Sequence, residues 1–433
     1  MSPCSPARSI LALVAVTLLG CSSDAPRSGQ DGGPSGPAPT ELPPPAAKIE
    51  PGGPSDAAVA AANQLGMDLY GKLRSAPGNL AYSPASIAVA LGMTYAGARG
   101  ETAAEMKRAL HLPDDAEALH GGFATVLSAY QAEPEKNAPI LRVVNRLFGE
   151  KTLAFEPAFG ALATRRYGAP LDPCDFLGAA EAEQKRINDW VARETAGRIA
   201  NLLPPGAVTG TTRLVLTNAV YFKGAWTNAF EKSATRPEAF KGAGGKTADV
   251  PMMHDVGTAR FGKAEGVALL ELGYQGGGFA TLFVLPDDEG GLGALEERLS
   301  EAALRDWVAA LAYEQVDIAL PRYKVDPPAT LRLKPLLAAL GMPSAFDESR
   351  ADFTGLAPAR DLHIDDVYHR AFVAVDEEGT EAAAATAVVV AGSASAAPPG
   401  PPKKVFRADH PFLYFVRDTK SGLVLFAGRV AMP

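Results

Sequence analysis

The stretch DEEGTEAAAATAVVV, residues 376–390, constrains the fold of this chain more than any other part of its sequence. Its residues alternate as in a β-strand, with Glu381 on one face and small or β-branched residues on the other. The residues of that second face are Thr380, Ala382, Ala384, Thr386, Val388 and Val390. The following SASAAPPGPPKK is typical of an exposed, extended loop. This combination predicts a loop that can convert into a strand.

Composition alone allows a plainer interpretation of the same region. Residues 380–400 also fit a low-complexity Ala/Pro linker, and EAAAA is a good helix former. Taken by itself, the composition favours the linker. The choice between a linker and a strand-forming loop therefore depends on the sequence that flanks it.

The composition of the whole chain sets broad limits on its function. With 433 residues, 47% of them hydrophobic, the chain can form one large domain or two ordinary ones. The net charge of −8 gives no global attraction to nucleic acid, and the pair Lys403 and Lys404 is the only notable basic cluster. We therefore expect no nucleic-acid partner.

The N-terminus is typical of an export signal. Arg8 precedes an apolar run at residues 10–19 that is too short to span a bilayer, so residues 1–20 are interpreted as a signal peptide. The run ends in LLGC, which resembles the bacterial lipobox and implies lipidation of Cys21. The alternative is ordinary cleavage, with Cys21 incidental. Residues 21–55 are rich in Pro and Gly and are predicted to be a tether.

If Cys21 is lipidated, the protein crosses the inner membrane and stays attached to a lipid surface. Ser22, rather than Asp, follows the cysteine, which by analogy with bacterial lipoproteins favours the outer membrane or cell surface. The membrane, reached through Cys21, is therefore one expected partner.

The body of the chain reads as an α+β protein. Amphipathic or apolar periodicity predicts helices, and β-rich runs predict strands, with helices dominant early and strands late and no βαβ alternation. The predicted helices cover residues 57–73, 84–95, 101–110 and 181–195. The predicted strands cover residues 213–222, 267–272, 279–285, 316–320, 369–375, 412–417 and 423–427.

No catalytic constellation is evident in the sequence. It contains neither a G-x-S-x-G elbow nor a Walker or dinucleotide glycine fingerprint. His363 and His369 are six residues apart and do not form a helical zinc pair. We therefore expect no catalytic residue, metal or cofactor, although a lipid-anchored hydrolase with a spatial Ser-His-Asp triad stays open.

Several motifs closely resemble those of the serpins. These segments are SPASIAVALGMTYAGARGET, INDWVARETAGRIANLLP, LVLTNAVYFKGAWTNAF, VYHRAFVAVDEEGTEAAAATAVVV and FRADHPFLYFVRDTKSGLVLFAGRV, in the expected order between Ala57 and Val430. The resemblance implies a serpin fold, with three β-sheets and about nine helices in one domain over residues 56–433. It also implies an exposed reactive loop at residues 377–405, which favours the strand-forming loop over the linker.

The resemblance further implies suicide-substrate inhibition of serine proteases. A protease would cleave the loop and form a covalent acyl-enzyme, and insertion of the loop into the main sheet would trap it. Family spacing from Glu377 places the scissile bond at Ser393–Ala394, although the bond after Ala391, Ala394 or Ala396 could serve instead. A small residue there suits elastase-like or subtilisin-like targets. A charge or proline in the loop should block entry, so Thr380→Arg or Ala384→Pro should give a substrate.

The same resemblance assigns roles to individual residues. The loop hinge comprises Glu377, Glu378, Gly379, Thr380, Ala382, Ala383, Ala384, Ala385 and Thr386. The polar "shutter" under the main sheet comprises Ser83, Ser86, Asn218 and His369. The "breach", where the loop first enters, comprises Trp226, Arg322 and Glu377, with Arg322 as the basic partner of Glu377. Small hinge residues favour an inhibitor, which is expected to be a monomer with a target serine protease as its partner. The alternative is a non-inhibitory serpin acting as a surface binding protein.

Overall fold

The structure is a computed structural model that describes residues 47–131, 138–358, 362–380 and 403–433. Several sequence predictions lie outside the described residues. These are the signal peptide, Cys21, hinge residues Ala382, Ala383, Ala384, Ala385 and Thr386, and the bond Ser393–Ala394.

The described ranges contain nine α-helices and three short 3₁₀ helices. The α-helices are α1 Asp56–Leu73, α2 Pro84–Tyr95, α3 Gly100–Ala109, α4 Ala116–Tyr130, α5 Pro157–Tyr167, α6 Phe176–Glu194, α7 Leu292–Arg298, α8 Glu301–Ala309 and α9 Lys334–Ala339. The 3₁₀ helices are Lys232–Ala234, Ala243–Gly245 and Pro343–Phe346.

Strands alternate with these helices and predominate after α6. They are β1 Leu80–Tyr82, β2 Ile140–Glu150, β3 Leu171–Cys174, β4 Leu214–Ala225, β5 Arg236–Lys241, β6 Thr247–Ala264, β7 Val267–Gly273, β8 Phe279–Pro286, β9 Ala312–Pro321, β10 Tyr323–Val325, β11 Leu331–Arg332, β12 Tyr368–His369, β13 Val373–Val375, β14 Gly379–Thr380, β15 Lys404–Arg407, β16 Phe412–Asp418 and β17 Val424–Val430. In the described ranges they form three sheets, which confirms the predicted α+β class.

Local capping explains where two functionally placed helices begin. Ser83 caps α2 by accepting a hydrogen bond from the Ser86 backbone N–H at 3.1 Å, and Pro84 occupies the first turn. The range of α6 joins two parts across a non-helical Ala179: a first short turn, which Asp175 caps by accepting a hydrogen bond from the Gly178 N–H at 2.9 Å, and the longer helix that follows. The longer part agrees with the helix predicted from residue 181.

The largest sheet has nine strands in the order β1-β17-β16-β8-β7-β6-β9-β15, with β5 paired to β6. Every residue of β16 and β17 is buried, so these central strands form much of the hydrophobic core. The predicted hairpin of β7 and β8 pairs from Val267 with Pro286 to Gly273 with Ala280. This sheet is continuous from strand to strand.

The second sheet has six strands in the order β10-β13-β14-β4-β2-β3. The sequence predicted one strand over residues 369–375, and this prediction was wrong. Residues 370–372 interrupt it, β12 pairs with β11, and only β13 belongs to the six-stranded sheet. The chain therefore changes partner sheets between His369 and Val373.

The folded unit begins upstream of the predicted boundary at residue 56. The Ile49 backbone N–H donates to the Gln131 Oε1 at 2.8 Å, and the Glu50 N–H donates to the Arg165 carbonyl at 2.9 Å. The Ile49 side chain is buried. Residues 47–55 thus pack on the ends of α4 and α5, and the predicted tether was too long at its C-terminal end.

None of the described helices has both the length and the apolar character that crossing a membrane requires.

Candidate functional site: a partly filled seam in the six-stranded sheet

We use the term "seam" for the interval between β4 and the chain of residues 362–375. At its upper end, β14 lies between the two sides: Gly379 and Thr380 pair with Ala225 and Gly224 of β4, and Thr380 pairs with Val375 of β13. Further down, residues 362–369 and β4 line opposite sides of a cavity of about 320 Å³. Among the described residues, β14 therefore joins the two sides at the upper end of the seam, and the cavity lies between them further down.

Backbone hydrogen bonds fix the chain that leads into β14. The Trp226 N–H donates to the Glu378 carbonyl, and the Phe230 N–H donates to the Glu377 carbonyl, each at 2.9 Å. The indole Nε1 of Trp226 donates to the Asp376 carbonyl at 3.0 Å. Residues 376–378, predicted to begin the reactive loop, are therefore held against the chain that follows β4 and lead into the strand Gly379–Thr380.

Glu377 is a buried carboxylate with specific partners. Its Oε1 accepts hydrogen bonds from Arg322 and from the Thr235 hydroxyl, the latter at 2.7 Å. Burial alone would raise the pKa of Glu377, but the hydrogen bonds from Arg322 and Thr235 outweigh it and lower that pKa. Glu377 therefore stays ionised at neutral pH. The structure brings Arg322 and Glu377 together, as the resemblance implied.

An aromatic pair packs against the inserted residues. The rings of Trp226 and Tyr274 stack with centroids 4.6 Å apart and an interplanar angle of 15°. The Tyr274 hydroxyl is hydrogen-bonded to the hydroxyls of Thr380 and Thr281. Thr380 thus places its methyl and hydroxyl groups in a buried pocket rather than in solvent.

Gly379 has a steric requirement that the sequence analysis described only as flexibility. A Cβ at this position would lie 1.9 Å from the Gly224 carbonyl oxygen and 2.8 Å from the Ala225 Cα. Both contacts are with the backbone of β4 and leave no room for a side chain. Glycine is therefore needed for β14 to approach β4 this closely.

Three of the four predicted shutter residues, Ser86, Asn218 and His369, line the cavity. The Ser83 N–H donates to the His369 Nε2 at 2.9 Å, so His369 is joined to the start of α2. The Asn218 side-chain amide donates to the Asn145 Oδ1 in β2. The Asn218 Oδ1 is buried without a hydrogen-bond partner among the described residues. The structure places these groups around one cavity but does not join Asn218 to His369.

The protonation state of His369 follows from its surroundings. Burial lowers the pKa of His369 to about 4, because the charged imidazolium would lose its hydration. The ring is therefore neutral at pH 7, with Nε2 as acceptor and the proton on Nδ1. A neutral acceptor satisfies the N–H of Ser83 without introducing charge beneath the seam.

Sequence reasoning missed several partners at this site. Tyr274, Thr235 and Asn145 belong to segments that carried none of the quoted motifs, and they reach the seam only through the fold. Lys232, which forms an ion pair with Glu378, is likewise a single basic residue in a polar turn. No spacing in the sequence indicated these contacts.

Comparison with known proteins identifies the family. The sequence profile described as "Serpin (serine protease inhibitor)" matches residues 60–433. Leukocyte elastase inhibitor A of Rattus norvegicus is 38% identical over 388 residues, which cover 87% of this chain and 99% of the relative. Human serpin B8 is 40% identical over 359 residues, covering 82% of this chain and 93% of the relative.

The fold comparison agrees with the sequence comparison. The crystal structure of uncleaved ovalbumin superposes with a TM-score of 0.76 and 28% identity, covering 87% of this chain and 100% of ovalbumin. The chain belongs to the serpin family, and its fold is the serpin fold. Its homologues are serine protease inhibitors rather than enzymes.

Proposed function

We propose that this protein inhibits serine proteases by inserting its cleaved reactive loop into the seam as a new strand. The carrying observation is that β14 already lies at the top of the seam, paired with both β13 and β4. Residue 381, where the predicted loop continues, follows directly after β14 in the chain. Strand addition to a sheet edge gains main-chain hydrogen bonds on each side.

Continuing the observed register supports this proposal. Thr380 pairs with Gly224, so ten residues further along, Val390 would lie opposite Leu214, where β4 begins. The strand-like stretch found in the sequence therefore has the length of the exposed side of β4. At about 3.3 Å per residue, ten residues extend roughly 33 Å down the seam.

The same register explains the polar groups in the cavity. In this register Thr386, six residues beyond Thr380, would lie opposite Asn218 of β4. On its other side Thr386 would lie opposite His369, which is six residues before Val375. A threonine hydroxyl would thus enter between the half-buried Asn218 and the buried His369. The Asn218 Oδ1, which has no partner in the described structure, would then gain a donor.

Energetics indicate which part of the loop drives insertion. Each new backbone hydrogen bond contributes about 0.5–1.5 kcal/mol, whereas ordering a residue costs about 1–2 kcal/mol. Hydrogen bonds alone are therefore insufficient. Burial of the face that contains Thr380, Thr386 and Val390 must supply the rest, as Thr380 already does beside Tyr274. The small residues between these positions can also move between the two strands quickly. Insertion is therefore favoured over deacylation of the acyl-enzyme.

We further propose elastase-like or subtilisin-like proteases as targets. A small residue at the predicted bond Ser393–Ala394 fits their clefts and lacks the Arg or Lys that a trypsin-like pocket requires. The similarity to a protein named leukocyte elastase inhibitor A agrees with this choice.

The test is incubation with pancreatic elastase and, separately, with subtilisin. We expect an SDS-stable adduct, and sequencing of the released C-terminal peptide should place its first residue at Ala394. Thr380→Arg would place a charge in the buried pocket beside Tyr274 and should yield cleaved protein without adduct. A loop-clipped sample that melts no higher than intact protein, with no adduct, would contradict inhibition and favour a non-inhibitory surface binding protein.

We also propose that the mature protein is a monomer and that lipidation of Cys21 anchors it to a bacterial membrane. The lipobox-like LLGC supports this proposal. Expression in a bacterial host with radiolabelled palmitate should label the wild type and not Cys21→Ser. Equal recovery of both forms in the soluble fraction would contradict it.

A further inference from the structure

The chain that follows α6, residues 195–203, is attached to α6 at both ends; we call it the α6 loop. At its start, the Gly197 N–H donates to the Ala192 carbonyl at 2.7 Å. At its end, Asn188 exchanges two hydrogen bonds with the Leu203 backbone, each of 2.9 Å. The α6 loop must therefore move together with α6.

Helix α6 packs on the β2 and β4 side of the seam. The Trp190 ring lies edge-on to Phe148 of β2, with centroids 5.7 Å apart. Arg186 lies over the Phe148 ring at 5.4 Å, and Arg146 of β2 lies over Trp190 at 5.5 Å. These ring contacts fix α6 to that half of the sheet, and the buried cluster that includes Ile187 also packs against Tyr368 of β12, on the other side of the seam.

The α6 loop nevertheless reaches the opposite side of the seam. The Arg198 guanidinium carbon lies 5.1 Å from the centroid of Phe372, the residue immediately before β13. The Lys324 Nζ lies 5.3 Å from the same ring. Lys324 belongs to β10, which pairs with β13, so its contact stays on one side. The Arg198 contact alone of these two bridges the seam.

We propose that Arg198 and Phe372 are positioning residues that form a tie across the seam and control how fast the loop inserts. This inference rests on the proposed function. Inserting a strand separates β13 from β4 by one further strand spacing, about 4.8 Å. A cation–π contact requires the cation within about 6 Å of the ring, so the tie would break as the seam opens. The Lys324 contact would survive, because β10 and β13 move together.

A second contact lies on the same path and supports the assignment. The Thr330 hydroxyl donates to the Asn201 carbonyl at 3.2 Å, which links the α6 loop to the residue before β11. Strand β11 pairs with β12, so Thr330 lies on the β13 side. The α6 loop is therefore held on the far side of the seam at two points.

The variants Arg198→Gln and Phe372→Leu test the tie, with Lys324→Gln as the matched control. An exposed cation–π contact of about 0.5–1 kcal/mol corresponds to roughly a two- to fivefold change in rate. We expect both test variants to speed amide exchange in β13 and β4 by that factor in intact protein. With subtilisin, they should consume fewer inhibitor molecules for each protease trapped. Arg198→Lys, which keeps the cation, should restore wild-type values.

The two hypotheses fail in different ways. If Lys324→Gln accelerates exchange as much as Arg198→Gln, or if Arg198→Gln has no effect, the tie is wrong even when wild-type protein traps subtilisin normally. If wild-type protein traps no protease and gains no stability on clipping, the proposed function fails. The exchange rates in β13 and β4 still decide for or against the tie in that case.

Discussion

The two large sheets of this serpin differ in how completely their strands are paired. In the nine-stranded sheet, β16 is hydrogen-bonded along its length to β17 on one side and β8 on the other. In the six-stranded sheet, within the part of the chain that the structure describes, β13 and β4 are joined through the two residues of β14, above a cavity of about 320 Å³. The described strands of the first sheet are therefore paired along their length, whereas β13 and β4 of the second are linked over a short distance.

The difference shows how one chain combines a rigid body with a movable part. Large interlocking apolar side chains, such as Phe283 against Phe412, fill the space behind the nine-stranded sheet. Around the seam, the structure instead places small residues and polar groups, including Gly224, Asn218 and His369. Such groups can change partners as strands separate, whereas interlocked aromatic rings would resist it.

The largest change should come from displacing β14 from its position between β13 and β4. In Gly379→Val, the side chain would clash with the β4 backbone, so β14 should leave the seam. We expect a loss of about 1–3 kcal/mol in the free energy of unfolding, together with loss of protease trapping. Urea unfolding and adduct formation measure these. Gly71→Ala, in an open position on α1, is the control and should be neutral or slightly stabilising. Retained trapping would show that β14 is not the entry point.

The next change should come from lowering the pH, which should reduce the free energy of unfolding through His369 beside the cavity. The pKa of His369 falls from its ordinary 6.5 to about 4 on folding, so the unfolded chain binds a proton first as the pH drops. Stability should therefore be full above pH 6.5 and fall towards pH 4, by at most about 3 kcal/mol for this group. His120, whose pKa burial also lowers to about 4, adds to the same slope. Urea unfolding as a function of pH measures it.

His369→Gln separates these two contributions. Its side-chain carbonyl can still accept from the Ser83 N–H but does not titrate, so the slope between pH 6.5 and 4 should become shallower. His120→Gln serves as the comparison away from the seam. An unchanged slope in His369→Gln would show that the seam histidine does not control acid stability.

A change in stability of the same order should follow from breaking the ion pair at the top of the seam. Arg322→Ala leaves the Glu377 carboxylate buried with the Thr235 hydroxyl as its remaining side-chain partner. We expect a cost of about 1–3 kcal/mol and faster amide exchange at Phe230. Lys232→Ala removes the exposed partner of Glu378 and should cost less than Arg322→Ala, because solvent screens an exposed ion pair. Equal losses of stability in the two variants would mean that the burial of Glu377 does not increase the cost of removing its basic partner.

The smallest change should occur at the edge of the nine-stranded sheet. Val405 in β15 is 62% exposed and pairs opposite Asp317 of β9. Val405→Thr should alter the free energy of unfolding by no more than about 0.5 kcal/mol and leave trapping unchanged. Calorimetry and adduct yield would detect a larger effect, which would show that the two sheets are not independent.

The sequence predicted local elements better than the seam. Helix α2 has the predicted bounds, because its cap Ser83, Pro84 and apolar run are adjacent in the chain. The break between β12 and β13 was missed, since a β-rich run does not reveal a change of partner strand. The contact between Arg322 and Glu377 was available only through the family resemblance. The partners Tyr274 and Asn145 were not available at all, because tertiary packing alone brings them to the site.

The packing of residues 47–55 on the body has a practical consequence for producing the protein. Ile49 fills a space beside Gly168, where an added Cβ would lie 3.1 Å from its side chain, and Arg166 donates to the carbonyls of Glu50 and Pro51. A recombinant form that starts at Asp56 would uncover this apolar depression and leave those donors to water. The expressed protein should therefore begin at or before Ala47, so that residues 47–55 stay packed on α4 and α5 in the purified protein.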